Sequence, residues 1–312
     1  MFPVISIITV SLNQGDFIGE TIESVLKQEG DFYIDYIIMD GGSRDQTLEI
    51  IRGYERKLSE NCLTGSINGQ FSCYKSAQDN QEIIKCMGVS FRWYSSKDEG
   101  QVYALKHAFS LAFGDIYHWL NSDDYLLHDN VLSKIIQQFS LDPSVHLITG
   151  DGMIINRSGS QTGVWHCAKI NFRELLFLDY HILQPSTFFR KSVYNSNSLD
   201  EKMICAFDAD FFIHLIYDGN NIMKIEDKLS AIRIYPEIKT ISLSNLRYKE
   251  SLRISKKYSE NIYYYSISLF YKLFSIVLIS RIDKPGKLTL ALFEVIRKVC
   301  YLLITGRPGR TE

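Results

Sequence analysis

The N-terminal part of the chain alternates between short apolar segments and segments with helical periodicity. Residues 4–10 are apolar and rich in β-branched side chains, which is typical of a strand buried on both faces. Residues 18–28 place apolar side chains at helical spacing, residues 36–39 form a second apolar segment, and residues 47–58 return to helical spacing. Strand, helix, strand and helix in this order predict a parallel sheet with right-handed crossovers.

The same alternation continues over most of the chain. Further strands are predicted at residues 89–94, 116–120, 146–155 and 163–165, and further helices from residues 102 and 207. Residues 59–88 are polar and lack clear periodicity, so we interpret them as a surface insertion. The predicted fold class is α/β, a mixed sheet flanked by helices over residues 1–245, followed by a helical extension over residues 246–312.

Polar or acidic side chains follow four of the predicted strands. These tips are Ser11-Leu12-Asn13, Asp40-Gly41-Gly42, Asp98-Glu99-Gly100 and Ser122-Asp123-Asp124. Open α/β sheets bind their ligands beyond the carboxyl ends of the strands. Because the tips of parallel strands meet at one edge of the sheet, the sequence predicts a ligand site there.

The adjacent acids Asp123 and Asp124 are candidate ligands for a hard cation. Two neighbouring buried carboxylates call for a cation or a proton, because an unpaired buried charge is costly. Magnesium and manganese accept oxygen ligands and commonly bridge to substrate phosphates. The same residues also suit a cap between loop and helix, with Asp129-Asn130 starting the next helix.

Composition and charge narrow the class of protein. The chain has 312 residues, 46% of them hydrophobic and 22% charged, as in ordinary globular proteins. Its six cysteines show neither CxxC nor Cys/His spacing, which indicates neither a zinc site nor a disulfide framework. No basic region precedes the first apolar segment, so it reads as a strand rather than a signal peptide. We therefore expect a cytoplasmic protein.

The C-terminal segment differs from the rest of the chain in charge. From Leu246 onward there are 13 Lys and Arg against 5 Asp and Glu, and seven of the 19 tyrosines. Residues 261–280 and 288–305 are amphipathic but are interrupted by polar residues such as Lys272. A helix lying in a membrane interface would show this composition, and so would a helical pair packed on the globular body.

Seven segments of the chain resemble the family 2 glycosyltransferases with a GT-A fold, especially bacterial surface-polysaccharide enzymes of the O-antigen or capsule type. They cover about residues 4–240 in the family's order, and they read SIITVSLNQGDFIGETIESVLKQ, YIIMDGGSRDQTLEII, YSSKDEG, AFGDIYHWLNSDDYL, QPSTFFRKSVY, FDADFFIHL and RIYPEIKT. The resemblance implies inverting transfer of a sugar from a nucleotide diphosphate sugar, helped by a divalent cation, Mn²⁺ or Mg²⁺.

The resemblance assigns the nucleotide-binding residues position by position. Asp40 matches the acid that reads the nucleotide base, with Ser11 and Asn13 beside it. Asp98 matches the acid of the loop near the nucleoside. From the residues alone, Asp40 before Gly-Gly-Ser is equally an ordinary turn residue.

The acidic segment corresponds to the family's D-x-D motif. Asn121-Ser122-Asp123 occupies its place, with Asp124 directly after, so the resemblance implies that Ser122 and Asp123 contact the donor. It also implies that Asp123 and Asp124 bind the metal.

The resemblance also implies roles for residues in the second half of the chain. Asp208 falls at the position of the catalytic base, although at a helix start it could also be an N-cap. Asp210 is the second acid of that motif, and we expect it to be structural. Arg233 and Lys239 match the late loop that often covers the diphosphate, and from the residues alone each is equally a solvated cation.

The chain departs from the family pattern at several positions. Asn121 replaces the first acid of D-x-D, Leu12 stands where a tyrosine commonly stacks on the base, and Tyr235 replaces a histidine that can ligate the metal. His181 and Gln184 precede Pro185 in a loop expected on the acceptor side.

Three functions are compared on this basis. The first is an inverting glycosyltransferase that moves a sugar, expected to come from a UDP-sugar, to a hydroxyl of a glycan or lipid-linked glycan at the inner face of the membrane. The second is a binder of the same ligands that has lost catalysis, as Asn121, Leu12 and Tyr235 would allow. The third, a Rossmann dehydrogenase, is disfavoured because no G-x-G-x-x-G follows the first strand. We expect no nucleic-acid partner, and homo-oligomerisation is left open.

Overall fold

The computed structural model describes residues 2–76, 83–97, 99–238, 242–259, 261–281 and 287–305. The chain divides into two compact units. Unit 1 comprises residues 1–167, 182–201 and 220–235, and unit 2 comprises residues 168–181, 202–219 and 236–312. The predicted boundary at residue 245 does not coincide with these units, because unit 2 combines the C-terminal helices with two segments from the middle of the chain.

Unit 1 contains the strands and four α-helices. The strands are β1 (Val4–Ser11), β2 (Glu29–Asp40), β3 (Cys62–Ile67), β4 (Phe71–Ser76), β5 (Lys85–Ser95), β6 (Ile116–Trp119), β7 (Tyr125–Leu126), β8 (Leu147–Ile155), β9 (Gln161–Trp165), β10 (Thr187–Arg190) and β11 (Ile222–Arg233). The helices are α1 (Ile18–Leu26), α2 (Thr47–Asn61), α3 (Gln101–Leu111) and α4 (Val131–Leu141). Short 3-10 turns lie at Gln184–Ser186, Lys191–Val193 and Ser196–Ser198.

The strands form one mixed sheet in the order β3-β4-β5-β2-β1-β6-β10-β8-β11-β7, with β9 paired to β8. Strand β1 runs parallel to both β2 and β6, whereas β10 is antiparallel to β6 and β8. All eight residues of β1 are buried, as its continuous apolar pattern requires. The predicted mixed sheet flanked by helices is confirmed.

Register brings the polar tips of the central strands to one end of the sheet. Ser11, the last residue of β1, is opposite Asp40, the last residue of β2. Asp40 is in turn opposite Ser95 at the end of β5. Strand β6 runs parallel to β1 and ends at Trp119, two residues before the acidic segment begins. The parallel pairing therefore places these tips along one edge.

The predicted surface insertion at residues 59–88 contains β-structure where the chain is described. Strands β3 and β4 form an antiparallel hairpin, and Tyr74 of β4 pairs with Val89 of β5. Strand β5 begins at Lys85, earlier than predicted, and residues 77–82 lie outside the described residues. The hairpin was not predicted because most of its side chains are partly or fully exposed, so its polar composition conceals the strand period.

Unit 2 is helical. It contains α5 (Phe172–Phe177), α6 (Phe207–Tyr217), α7 (Ser244–Lys257), α8 (Ile262–Arg281) and α9 (Lys287–Thr305). The two amphipathic segments near the C-terminus therefore form helices α8 and α9, as predicted. Over the described part of the chain, none of the helices combines the length and the hydropathy needed to cross a membrane.

Candidate donor site and catalytic residues

The acidic segment after β6 forms a tight turn over residues 121–124, which we call the acidic turn. The backbone N–H of Asp124 donates to the carbonyl of Asn121 at 3.2 Å and closes it. The hydroxyl of Thr21, on α1, donates to the carbonyls of Ser122 and Asp124 at 3.0 and 2.7 Å. Helix α1 therefore holds the backbone of the turn in place.

Asp124 is the inner carboxylate of the acidic turn. It is buried, and its two oxygens accept hydrogen bonds from the backbone N–H of Arg233 at 3.0 Å and from Nδ2 of Asn121 at 3.3 Å. Burial, reinforced by the neighbouring charge of Asp123, raises the pKa of Asp124 well above its usual value. The two oxygens thus connect the turn to β11 and to the side chain of Asn121, whereas a metal ligand was predicted here.

Asp123 is the outer carboxylate of the turn. Its Oδ2 accepts a hydrogen bond from the hydroxyl of Tyr235 at 3.0 Å. Burial raises the pKa of Asp123, and the hydrogen bond from Tyr235 and the charge of Arg233 oppose that shift. The resemblance implied a metal-binding histidine at this position, and in this chain the hydroxyl of Tyr235 donates directly to the acid.

The residues of the acidic turn fit a cation site only if substrate phosphates and water supply the other ligands. In the described part of the chain, no three His, Cys, Asp or Glu residues cluster closely enough to hold a metal by themselves. Magnesium and its analogues are commonly held by one or two carboxylates, with substrate phosphates and water completing the shell. Asp123 fits such a site, because a cation would balance a carboxylate whose charge is penalised by burial.

Arg233 is committed to protein acceptors. Its guanidinium donates to the carbonyls of Asp123 at 3.2 Å, Asn156 at 3.2 Å and Arg157 at 3.1 Å, and it pairs with Glu20. The residue is buried. The expectation that Arg233 covers a diphosphate is therefore not supported by this arrangement, in which its charge stabilises the acidic turn and the adjacent loop.

Asp40 organises the turn that follows β2. One carboxylate oxygen accepts hydrogen bonds from the N–H groups of Gly42 and Ser43 and from the hydroxyl of Ser95, at 3.0, 2.9 and 2.7 Å. The other accepts from the hydroxyl of Ser43 at 2.5 Å. The contacts of Asp40 are those of an ordinary turn residue. Its role in recognising the nucleotide base stays a prediction.

Asn13 joins the tip of β1 to the same turn. Its N–H donates to the hydroxyl of Ser43 at 2.7 Å, and its Oδ1 accepts from the N–H of Arg44 at 2.9 Å. Its φ of 53° lies in the left-handed region, which asparagine tolerates better than most residues. The loops after β1 and β2 are therefore fixed side by side.

Two neighbouring side chains at the tip of β1 are available for a ligand. The hydroxyl of Ser11 is buried, and within the described residues it has no hydrogen-bond partner. Leu12 is 54% exposed and offers an apolar surface next to it. Asp98 and Lys239, the two remaining predicted donor contacts, lie outside the described residues.

Asp208 lies in unit 2, as the second residue of α6. The N-cap position is Ala206, so the interpretation of Asp208 as an N-cap is wrong. Burial raises the pKa of Asp208 to about 6, and hydrogen bonds from the backbone N–H groups of Asp208 and Ala209 oppose the shift. A carboxyl group with this pKa is poised to exchange a proton near neutral pH.

The second acid of this motif has a different environment. Asp210 is fully buried, and both of its oxygens contact Nζ of Lys257 at 3.1 and 2.9 Å. The ion pair connects α6 to α7, in agreement with the structural role expected for Asp210.

Glu250 is a supporting residue that the sequence did not reveal. This buried carboxylate on α7 accepts hydrogen bonds from three successive backbone N–H groups, those of Ile204, Cys205 and Ala206, each at 2.8 Å. It thereby fixes the segment that leads into α6 and Asp208. No local signal distinguishes Glu250 from an ordinary surface acid on an amphipathic helix.

Comparison with known proteins supports the resemblance stated from the sequence. The family described as glycosyl transferase family 2 matches residues 6–64. An uncharacterized glycosyltransferase of Mycobacterium tuberculosis (strain CDC 1551) is 25% identical over 151 residues, which is 48% of this chain and 45% of that protein. The match therefore spans less than half the length of this relative. An uncharacterized glycosyltransferase of Methanocaldococcus jannaschii is 22% identical over 282 residues, or 87% of each protein.

Solved structures confirm the fold. Residues 1–349 of TarS from S. aureus in complex with UDP-GlcNAc superpose with a TM-score of 0.59 at 16% identity, over 97% of this chain and 82% of that one. The mannosyltransferase PcManGT from Pyrobaculum calidifontis, in complex with GDP-Man and Mn²⁺, gives 0.58 at 12% identity, over 98% and 86%. The resemblance to the family 2 glycosyltransferases and the GT-A fold are confirmed.

Proposed function

We propose that this protein is a family 2 glycosyltransferase that transfers a sugar from a nucleotide diphosphate sugar, with inversion, to a hydroxyl of a glycan or lipid-linked glycan during the synthesis of a cell-surface polysaccharide. The observation that carries the proposal is the meeting of Ser11, Asp40 and the acidic turn at one edge of the sheet. In open α/β folds this edge is the position of the ligand.

The donor is proposed to be a UDP-sugar. TarS was solved with UDP-GlcNAc and PcManGT with GDP-Man, so neighbours of the same fold accept more than one nucleotide. The buried, unpartnered hydroxyl of Ser11 can hydrogen-bond a ligand, and the exposed Leu12 can pack against its flat face. Asn13, Asp40, Asp98, Ser122 and Lys239 complete the proposed donor contacts.

A divalent cation, Mn²⁺ or Mg²⁺, is proposed to bind at Asp123, with Asp124 behind it. When bound, the cation would offset the negative charge that develops on the departing diphosphate. Asp124 connects the acidic turn to β11, and Arg233 donates to the carbonyl of Asp123, so we assign both to the support of Asp123.

Asp208 is proposed to be the general base. Its carboxylate would take the proton of the acceptor hydroxyl as the oxygen attacks the anomeric carbon on the face opposite the diphosphate. The configuration at that carbon is then inverted. The pKa of about 6 leaves Asp208 mostly ionised at neutral pH while keeping it a useful base.

Membrane contact through residues 246–312 is part of the proposal. Over the described side chains of α8, Ser268, Lys272 and Ser275 are buried together with Tyr271, whereas the exposed side chains include Ile262, Phe270 and Leu273, which are 79%, 56% and 47% exposed. Large apolar side chains on the exposed face suit the apolar boundary of a lipid headgroup layer. A second copy of the chain on the same surface is the alternative.

A donor screen tests the proposed activity. The protein is incubated with UDP- and GDP-sugars and Mn²⁺ while its melting temperature and slow donor hydrolysis are measured. A ligand that binds only the folded state must raise the melting temperature. We expect both a shift and hydrolysis with one donor. A shift without hydrolysis or transfer would favour the sugar-nucleotide binder, and no shift with any donor would contradict the proposal.

A further inference from the structure

Three side chains around the acidic turn form a closed chain of hydrogen bonds. The indole Nε1–H of Trp119 donates to Oδ1 of Asn121 at 2.9 Å. Nδ2 of Asn121 donates to Oε1 of Gln184 at 2.9 Å, and Nε2 of Gln184 donates to the backbone carbonyl of Trp119. The chain therefore begins and ends on the same residue, and we call it the amide relay.

The direction of each hydrogen bond in the amide relay is fixed by its ends. An indole N–H can only donate, so the atom of Asn121 that faces it must be the oxygen. A backbone carbonyl can only accept, so the atom of Gln184 that faces it must be the nitrogen. The two remaining groups, an NH₂ on Asn121 and an oxygen on Gln184, are complementary. Two amides satisfy every contact.

The relay explains why Asn121 replaces the first acid of the family's motif. Nδ2 of Asn121 also donates to Oδ2 of Asp124 at 3.3 Å. A carboxylate at position 121 could still accept from Trp119, but its other oxygen would face the oxygens of Gln184 and Asp124. Position 121 therefore requires a donor, and an ionised acid there would repel both neighbours.

The amide relay connects the acidic turn to the sheet. Trp119 and Gln184 are buried, and Gln184 belongs to the 3-10 turn that leads into β10, a strand paired with β6. The relay thus connects the turn to the sheet on the side of Asn121, while Tyr235 and Arg233 hold it at Asp123. Asp123 is left as the acid that the turn presents.

We infer that Asn121 and Gln184 are a pair of positioning residues that fix the acidic turn for donor binding, and that the amide at position 121 is required in this chain. The inference rests on the proposed function, because the donor is what the turn is proposed to bind. Restoring the family's acid should therefore weaken the site.

The test compares Asn121→Asp and Gln184→Glu with the wild-type protein. Each variant keeps the shape of the side chain but replaces an NH₂ donor by an oxygen. We expect each to weaken donor affinity in Mn²⁺ by about tenfold at about pH 8 and to lower the melting temperature. Asn130→Asp is the matched control, because Asn130 is exposed and its side chain makes no capping hydrogen bond.

A double-mutant cycle separates the relay from a general loss of packing. Each of Asn121→Ala and Gln184→Ala already breaks the hydrogen bond that the two amides share, so the double variant should lose less donor affinity and less stability than the sum of the two single losses. Additive losses, or no loss at all, would overturn the inference. If the wild-type protein binds no donor, the proposed function fails, while the melting temperatures still decide whether the relay exists.

Discussion

Asp123 and Asp208 are both carboxylates whose pKa is raised by burial, but their surroundings differ. Asp123 accepts a hydrogen bond from Tyr235 and lies close to the charge of Arg233, both of which favour its ionised form. The ionised form of Asp208 is favoured by the backbone N–H groups of Asp208 and Ala209 and by the charge of Arg247, and its pKa reaches about 6. The first environment supplies a hydrogen-bond donor and a positive charge beside the carboxylate, and the second gives a carboxyl group that can exchange a proton near neutral pH.

The supporting residues differ in the same way. The acidic turn is held by neutral amides and by one buried arginine, so its acids remain at the edge of the sheet. The segment before Asp208 is held by the buried carboxylate of Glu250, whose charge raises the pKa of Asp208 further. A buried carboxylate can lie near Asp208 because three backbone N–H groups donate hydrogen bonds to Glu250.

Replacing Asp208 should have the largest effect on the reaction. Asp208→Asn keeps the size of the side chain but cannot accept the proton, and a positioned base typically contributes about 10²–10⁴ in rate. We expect transfer to fall at least about 100-fold, with donor affinity within a few-fold of wild type. In the wild type, kcat/KM should rise with pH through about 6 as Asp208 ionises. A variant that keeps a tenth or more of the transfer rate would show that Asp208 is not the base.

Replacing Glu250 should have the next largest effect, on stability. Glu250→Ala removes the acceptor of three buried N–H groups, and a hydrogen bond to a charged group contributes about 1.5–3 kcal/mol. We expect a loss of at least about that size in denaturant unfolding. Glu226→Ala, at a side chain that is 84% exposed, is the control and should stay close to wild type. Equal stability of the two variants would mean that Glu250 does not hold the segment before Asp208.

Replacing Asp123 tests whether this carboxylate binds the donor through a divalent cation. Asp123→Ala should weaken donor binding mainly when Mn²⁺ or Mg²⁺ is present, because the lost carboxylate acts through the cation; we expect about tenfold. Tyr235→Phe keeps the carboxylate and serves as the partner variant, which should retain the metal dependence. If Asp123→Ala weakens binding equally with chelator and with metal, Asp123 is not a ligand.

The smallest effect is expected at the outer face of α8. Phe270→Ser combined with Leu273→Ser should reduce co-sedimentation of the full chain with anionic vesicles, and high salt should reduce it further. Leu63→Ser with Leu141→Ser is the control, since both leucines are exposed in unit 1. A truncation at residue 245 would be unsuitable, because it removes Glu250 and Lys257 from unit 2. Unchanged vesicle binding, with a smaller oligomer in solution, would indicate that α8 contacts a second copy.

The sequence by itself predicted the central strands, the edge at which their polar tips meet and Asp123 as a candidate acid, and the resemblance added Asp208, whereas the hairpin of β3 and β4 was missed. Burial leaves a periodic pattern in neighbouring residues, so strands and helices can be predicted locally. Tertiary structure alone decided which polar groups are supports. Arg233 lies 110 residues from Asp123, Gln184 lies 63 from Asn121, and Glu250 lies 44 from Ala206. A hydrogen-bond partner at such a distance leaves no period in the sequence, and only the folded chain shows that a predicted phosphate contact is a buried structural cation.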